Sequence, residues 1–386
     1  MTEINRYKRS LGLPELVSLG VGGTIGSGIF VVPGVAAKLS GPWSLVAWLI
    51  VALSASCVLL SLTFVSFRFT SSNSFYSLFK SVFGTWIAVP LIILYLISSI
   101  FGISTIAAGI GQYITWFDLS NVLLIELFVI GAFCWLNISG ISFSGMTENI
   151  LTTLKIIPLV IIAVLLIPFI NLDNFTPRTP LTVTGFLATI IIVYWPFTGF
   201  EISAIPVEET RDPSLIRRSL IIVMGIVVSL YLILNVSLIG SVGSETLAAS
   251  PAPVATAAGI FLNRSGAIVA CVGILAMLSA INAYIVGTSR ILQSMSDEFS
   301  IPILRNLNTR GTPAPALIAG CAISGSLLLF SNHFTRLATI SVITTLIPYI
   351  FFCLASLVIV TDTKARGIAA AGAISTTAIL VIYFIV

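Results

Sequence analysis

The sequence predicts an all-α integral membrane protein, a five-plus-five inverted-repeat bundle of about eleven transmembrane helices. Three observations carry that expectation: an apolar composition, a series of uninterrupted apolar windows, and two windows broken by glycine or proline in corresponding places. Hydrophobic residues make up 57% of the 386 residues and charged residues 8%, and the mean hydropathy is +1.12. A soluble domain carries charge on about a quarter of its residues. Lipid offers the backbone no hydrogen-bond partners, so only helices or a closed barrel can span it. Barrel strands alternate in polarity over about ten residues, whereas "LKIIPLVIIAVLLIPFI", Leu154 to Ile170, is almost continuously apolar.

Windows of about 19 residues place the spans in order. The first, 16 to 37, follows Arg6, Lys8 and Arg9; the second and third, 43 to 67 and 86 to 115, are separated by Arg68 and Lys80. The fourth and fifth lie at 121 to 138 and 151 to 170, and the sixth at 183 to 205. Spans follow at 217 to 241, 266 to 291, 313 to 331, 335 to 360 and 367 to 386. The whole chain, 1 to 386, reads as one transmembrane domain: a first repeat at about 16 to 170, a second at about 183 to 360, and a peripheral last helix. With the N-terminus in the cytoplasm, 13 of the 18 Lys and Arg residues fall inside and four outside, with Lys155 in a span. The outer four are Lys38, Arg178, Arg264 and Arg336. The basic-residue rule thus favours an inner N-terminus, and eleven spans place the C-terminus outside. The net charge of +4 follows from this arrangement and gives no sign of nucleic acid.

Other chemistry is sparse. A signal peptide competes for the first span, but a glycine-rich stretch makes a poor hydrophobic core for one. Cys57, Cys134, Cys271, Cys321 and Cys353 lie in or beside apolar windows without paired spacing, as small packing residues do. The single histidine, His333, cannot form a multi-histidine metal site or relay. Asn137, Asn235 and Asn263 begin glycosylation-type triplets, the first two near or inside spans. Neither an enzyme's cluster of catalytic groups nor a channel's ring of charges is visible, and no prosthetic group is implied.

The informative stretch is "GVGGTIGSGIF", Gly20 to Phe30, with five glycines inside the first span. A nucleotide-binding glycine loop needs a preceding strand. Close helix packing through small residues and an interrupted helix whose free backbone groups bind a ligand both remain open. A matching break favours interruption: "YWPFTGFE", Tyr194 to Glu201, lies about 170 residues later, in the first span of the second group of five. Proline removes a donor and glycine loosens the helix. Two broken segments in corresponding positions are the sequence pointer to an inverted-repeat transporter. Lys155 in the fifth span and Glu201 after the second break are ionisable groups at membrane depth, where charge is costly and usually functional. Snorkelling of Lys155 to the surface and a purely structural hydrogen bond for Glu201 are the competing readings. Glu126 reads as an interfacial residue, and no additional buried acid is evident.

"GTIGSGIFVVPG" from Gly23, "WPFTGFE" from Trp195, "EETRDPSLIRRS" from Glu208 and "SAINAYIVGTSRILQSMSDEFSIP" from Ser279 together resemble the amino acid–polyamine–organocation (APC) superfamily of secondary transporters. The resemblance runs from Leu11 to about Asp362, although many members have twelve spans where eleven are read here. It implies a LeuT-like fold and transport of amino acids by alternating access, by proton-coupled symport. The alternatives are exchange of an amino acid or amine, as in arginine/agmatine antiport, polyamine transport, or a non-transporting substrate sensor. It implies a substrate carboxylate on the backbone N–H groups and hydroxyl of Ile25, Gly26, Ser27 and Gly28. The substrate ammonium falls to the carbonyls of Gly23 and Ile25 in the first break and of Trp195 and Thr198 in the second. Trp195 matches a pocket-closing tryptophan, although packing also accounts for an aromatic there. The resemblance also implies that Tyr284 faces the substrate side chain, and Lys155 matches a lysine that replaces sodium in proton-coupled relatives. Expected partners are a neutral amino acid, protons in preference to sodium, and the bilayer; a monomer and a homodimer are both compatible with the resemblance.

Overall fold

A computed structural model describes residues 9–68, 74–117, 120–178, 180–261, 266–296, 298 and 300–385. Arg6, Lys8, Asn263 and Arg264, named above, lie outside the described residues. The chain folds as α1 (Leu13–Thr24), α2 (Ser27–Ser40), α3 (Ser44–Val65), α4 (Ser74–Phe83), α5 (Thr85–Ile114), α6 (Val122–Ile138), α7 (Ile141–Leu166) and α8 (Val183–Tyr194). It continues as α9 (Ser214–Val242), α10 (Ser244–Ala248), α11 (Pro253–Ala258), α12 (Gly266–Ser294), α13 (Ala314–Phe330), α14 (Phe334–Ile359) and α15 (Thr363–Ile385). Among the described residues eight helical segments are long and apolar enough to cross a membrane, the first a run that holds α1 to α3. Two further apolar helices, α6 and α13, are shorter. Each expected window contains a helix, and the chain is a multi-pass membrane protein of the all-α, LeuT-like class.

Two features of the side chains explain why this bundle needs lipid as its solvent. Leu53, Phe128, Trp135, Phe330 and Ile374 all stand exposed on its outer surface, an arrangement that water would penalise and acyl chains do not. The interior holds small hydroxyl residues that return hydrogen bonds to their own helix or cross to a neighbour, as Ser98 of α5 does with Ser341 and Thr345 of α14. The crossing bonds let α5 and α14 pack closely without leaving buried polar groups unpaired.

Local chemistry sets the ends of the elements that matter for function. Glu15, three residues into α1, reaches back to accept from the Gly12 N–H at 2.8 Å, satisfying one of the helix's orphan donors. Thr182 caps α8 by accepting from the Gly185 N–H at 3.2 Å. Pro196 then prevents α8 from continuing, and the chain proceeds through two short 3-10 turns, Trp195–Phe197 and Phe200–Ala204. Between them Gly199 adopts φ +94°, a conformation that costs a side-chain-bearing residue dearly.

One end of the bundle is sealed by backbone pairing. Ser10 and Leu11 donate to the Glu209 carbonyl at 2.9 and 3.0 Å, and Arg211 N–H returns to the Leu11 carbonyl at 2.9 Å. Below this pairing the Arg290 Nε of α12 meets Glu209 Oε1 at 2.9 Å, both side chains fully buried. The segments just before the first break and just after the second are thus tied to each other and to α12.

Candidate functional site

The first interruption spans two residues. Ile25 N–H still reaches Val21, and Gly26 N–H turns back to Thr24 at 3.2 Å, before α2 restarts at Ser27 with no side chain capping it. An uncapped helix start presents N–H donors and the positive end of the helix dipole. The close approach of neighbours dictates the glycines. A β-carbon on Gly26 would collide with Ala280, and one on Gly28 would lie 2.6 Å from Pro196 Cα in the second break. The two interruptions therefore face each other, and packing and interruption, which competed as readings of this stretch, are both present.

Lys155 is fully buried and lies where α7 passes the first break. Its ammonium donates to the Gly22 carbonyl at 3.1 Å, the Ile25 carbonyl at 2.8 Å and Ser279 Oγ at 2.7 Å. All three ammonium donors are used, two of them on carbonyls freed by the break. Snorkelling does not describe this side chain. Ser279 in turn donates to Glu148 Oε1, and Thr152 donates to the same oxygen at 3.1 Å. Asn282 donates to Glu148 Oε2 at 2.8 Å and accepts from Asn137 Nδ2 at 2.9 Å. A continuous hydrogen-bond chain thus links α1 to α7, α12 and α6.

Glu148, Ser279 and Asn282 were not expected, and the expectation of no further buried acid is corrected: Glu148, Glu126 and Glu209 are all buried. The expected fifth span began at 151, because a carboxylate lowers a hydropathy average whether or not it is partnered. The helix begins at Ile141 instead. One sequence signal was available: Glu148 and Lys155 are seven residues apart, two turns, and so share a helix face. Glu126, read as interfacial, is also buried. Asn137 and Asn235 are buried too, each bonded to protein groups, so neither is accessible for glycosylation.

The second break is held differently. Glu201 is buried and accepts from the Tyr95 hydroxyl of α5 at 2.8 Å and the Tyr349 hydroxyl of α14 at 2.6 Å. Thr198 Oγ1 donates to the Trp195 carbonyl at 2.8 Å and lies 3.3 Å from the Tyr284 hydroxyl. Trp195 Nε1 donates across the gap to Ser27 Oγ at 3.3 Å, and its ring lies 6.1 Å from that of Tyr284.

Of the expected residues, Gly23, Gly26, Ser27, Gly28, Trp195 and Tyr284 line one enclosed cavity, together with Thr24, Ile106 and Ala280. Ile25 turns its carbonyl to Lys155, Thr198 turns to Tyr284, and Glu201 points to its two tyrosines. The cavity is about 10 Å³, roughly the space one water needs. Admitting anything larger requires its lining to move apart. A larger cavity, about 920 Å³, begins one helical turn further along α2, at Val31, and includes Ala108 and Gly111 of α5. It lies at the end of the bundle opposite the Leu11–Arg211 pairing.

Comparison with known proteins agrees with this architecture. A family model described as "Amino acid permease" matches residues 11–386. The chain is 26% identical over 315 residues to the inner membrane transport protein YbaT of Escherichia coli, covering 79% of this chain and 73% of that protein. It is 24% identical over 330 residues to the branched-chain amino acid permease BcaP of Bacillus subtilis, covering 76% and 68%. Among solved structures, MhsT in complex with L-phenylalanine superimposes with a TM-score of 0.73 at 14% identity, over 98% of this chain and 99% of that one.

Proposed function

Because the chain belongs to the amino acid permease family, whose members are transporters and not enzymes, we propose that it moves neutral amino acids across the cytoplasmic membrane by proton-coupled symport. In this reading the substrate carboxylate takes the uncapped N–H groups of Ser27 and Gly28 and the Ser27 hydroxyl beside Gly26, where donors and a helix dipole favour an anion. Its ammonium takes carbonyls of the two breaks, Gly23 and Ile25 on one side and Trp195 and Thr198 on the other. Trp195 and Tyr284 close over the side chain. The apolar lining contributed by Ile106 and Ala280 suits an apolar side chain, in line with the branched-chain substrates in the name of BcaP.

The observation that carries proton coupling is the seat of Lys155 on Gly22 and Ile25. A charged ammonium there holds the half-helix carbonyls of α1, and a neutral amine releases part of that hold. Proton loading thereby acts on the element that must move, which is how a coupling ion biases two conformations. The basic residues near Leu11 and Arg211 support a cytoplasmic position for the sealed end, and in this reading the wide cavity faces outward.

Amino acid exchange has one specific observation in its favour. Glu148, bridged to Lys155 by Ser279, offsets the buried positive charge and would let the lysine stay charged throughout a cycle. Uptake of labelled L-leucine into sodium-free proteoliposomes separates the two. Symport predicts accumulation above equilibrium when the lumen is alkaline relative to the bath. Uptake that requires preloaded leucine and ignores the gradient would overturn symport in favour of exchange, and binding without either would leave a sensor.

A further inference from the structure

Lys155 and Glu148 are both fully buried beside the first break, yet no direct ion pair joins them among the described residues. Ser279 of α12 stands between the two charges. Its Oγ accepts from Lys155 Nζ at 2.7 Å, and its hydroxyl proton is directed to Glu148 Oε1. The other donors to the carboxylate are neutral, Thr152 on Oε1 at 3.1 Å and Asn282 on Oε2 at 2.8 Å. Gly22 makes room for the carboxylate, since a β-carbon there would collide with Glu148 Oε1. The charged groups of the helices around this network are placed elsewhere: Glu15 accepts from Asn149 at 3.3 Å, Arg290 pairs with Glu209, and Glu126 lies about three turns from Asn137 along α6.

We propose that Ser279 is a proton bridge and that Glu148 is the acceptor of the proton carried by Lys155. The step balances within three groups. One N–H bond of the ammonium breaks as an O–H bond forms on Ser279, and the original Ser279 proton passes to Glu148 Oε1. An ammonium and a carboxylate become an amine and a carboxylic acid, with no change in net charge. The chain then runs in reverse, Glu148 donating to Ser279 and Ser279 donating to the lone pair of the amine, so every hydrogen bond in it is kept. Thr152 and Asn282 still find acceptor lone pairs on the acid. In the proposed central site the substrate ammonium shares the Ile25 carbonyl with Lys155, whose Nζ lies 2.8 Å from it. Two positive charges on one carbonyl repel, and transfer to Glu148 relieves that repulsion. Substrate binding thus unloads the lysine, and the proton moves about two turns toward the start of α7. The inference rests on the reading that an amino acid ammonium binds at the first break.

Infrared difference spectra of the purified full chain, recorded with and without L-leucine, test it. Wild type should gain a carboxylic acid C=O band that shifts in D2O and should lose carboxylate absorption. Glu148→Gln should lack the band, and Glu148→Asp should move it. Ser279→Ala should lose the band and Ser279→Thr, which keeps the hydroxyl, should restore it, a dependence that a merely structural carboxylate would not show. 4-Methylpentanoate, which lacks the ammonium, should not elicit the band. No band in wild type saturated with leucine, or a band that persists in Glu148→Gln or Ser279→Ala, would overturn the relay. Proteoliposomes keep the two readings separate: leucine exchange that ignores the proton gradient, with the band intact, would overturn symport and leave the relay standing.

Discussion

The two breaks solve one problem in opposite ways. In the first, helix α1 loses its ladder over two residues, and the freed carbonyls of Gly22 and Ile25 are held by a cation, Lys155. In the second, the chain leaves helical geometry at Pro196, and an anion, Glu201, is held by the hydroxyls of Tyr95 and Tyr349. A carbonyl-rich helix end suits a positive partner and the first turn of a following 3-10 segment suits a negative one. The difference lies in what each anchor can do. Lys155 binds backbone that belongs to the interruption itself, so under the proposed coupling a change in its charge acts on the interruption directly. Glu201 ties its own segment to α5 and α14, and in the same proposal it is a brace.

Several substitutions would break or sharpen that contrast. The largest effect is expected from Lys155→Met, which removes three hydrogen bonds to a buried cation and leaves Glu148 without its bridged countercharge. Loss of about 1.5–3 kcal/mol for each charged hydrogen bond should lower the melting temperature in detergent sharply and abolish gradient-driven uptake. Gly28→Val comes next, since its branched side chain would press on Pro196. Overpacking of about 1–3 kcal/mol should separate the breaks and weaken leucine binding, read by equilibrium binding; unaltered affinity would contradict the facing geometry. Tyr349→Phe should cost about 1.5–3 kcal/mol of stability and slow uptake with no change in its dependence on the proton gradient. If that dependence changed, Glu201 would be a coupling group and the contrast would fail.

The smallest effect lies outside the membrane, at the start of α9. Asp212 accepts from the Ser214 hydroxyl at 2.7 Å and the Ser214 N–H at 2.9 Å, and these bonds hold its carboxyl below the usual aspartate range. A depressed folded-state pKa means the contribution is present at neutral pH and fades as pH falls through that value. Asp212→Asn should therefore lower thermal stability slightly at pH 7, and the difference from wild type should vanish in strong acid.

The contrast also shows how far the residues alone could lead. Glycine and proline inside apolar windows announce broken helices, because each acts through its own backbone, and Lys155 and Glu201 announce themselves by carrying charge into lipid. The partners of those charges were not legible. Ser279, Asn282, Tyr95 and Tyr349 are ordinary residues of apolar helices until packing brings them within 3 Å of a carboxylate or an ammonium. Glu148 was hidden for a different reason: it sits among polar neighbours two turns into α7, and only its two-turn spacing from Lys155 hints that both face inward. The burial of Glu126 was not legible because it depends on the close approach of Gly111 on another helix, a relation that windows along one segment do not register.

The most direct test of the central claim compares wild-type protein and Lys155→Met in the same sodium-free proteoliposomes, each loaded with and without L-leucine, under an inward proton gradient. If Lys155 couples the proton to the broken helix, wild type will accumulate leucine against its gradient. The variant will lose accumulation but retain counterflow between loaded vesicles and the bath. Gradient-driven accumulation that survives in the variant would contradict the claim and place the coupling proton elsewhere.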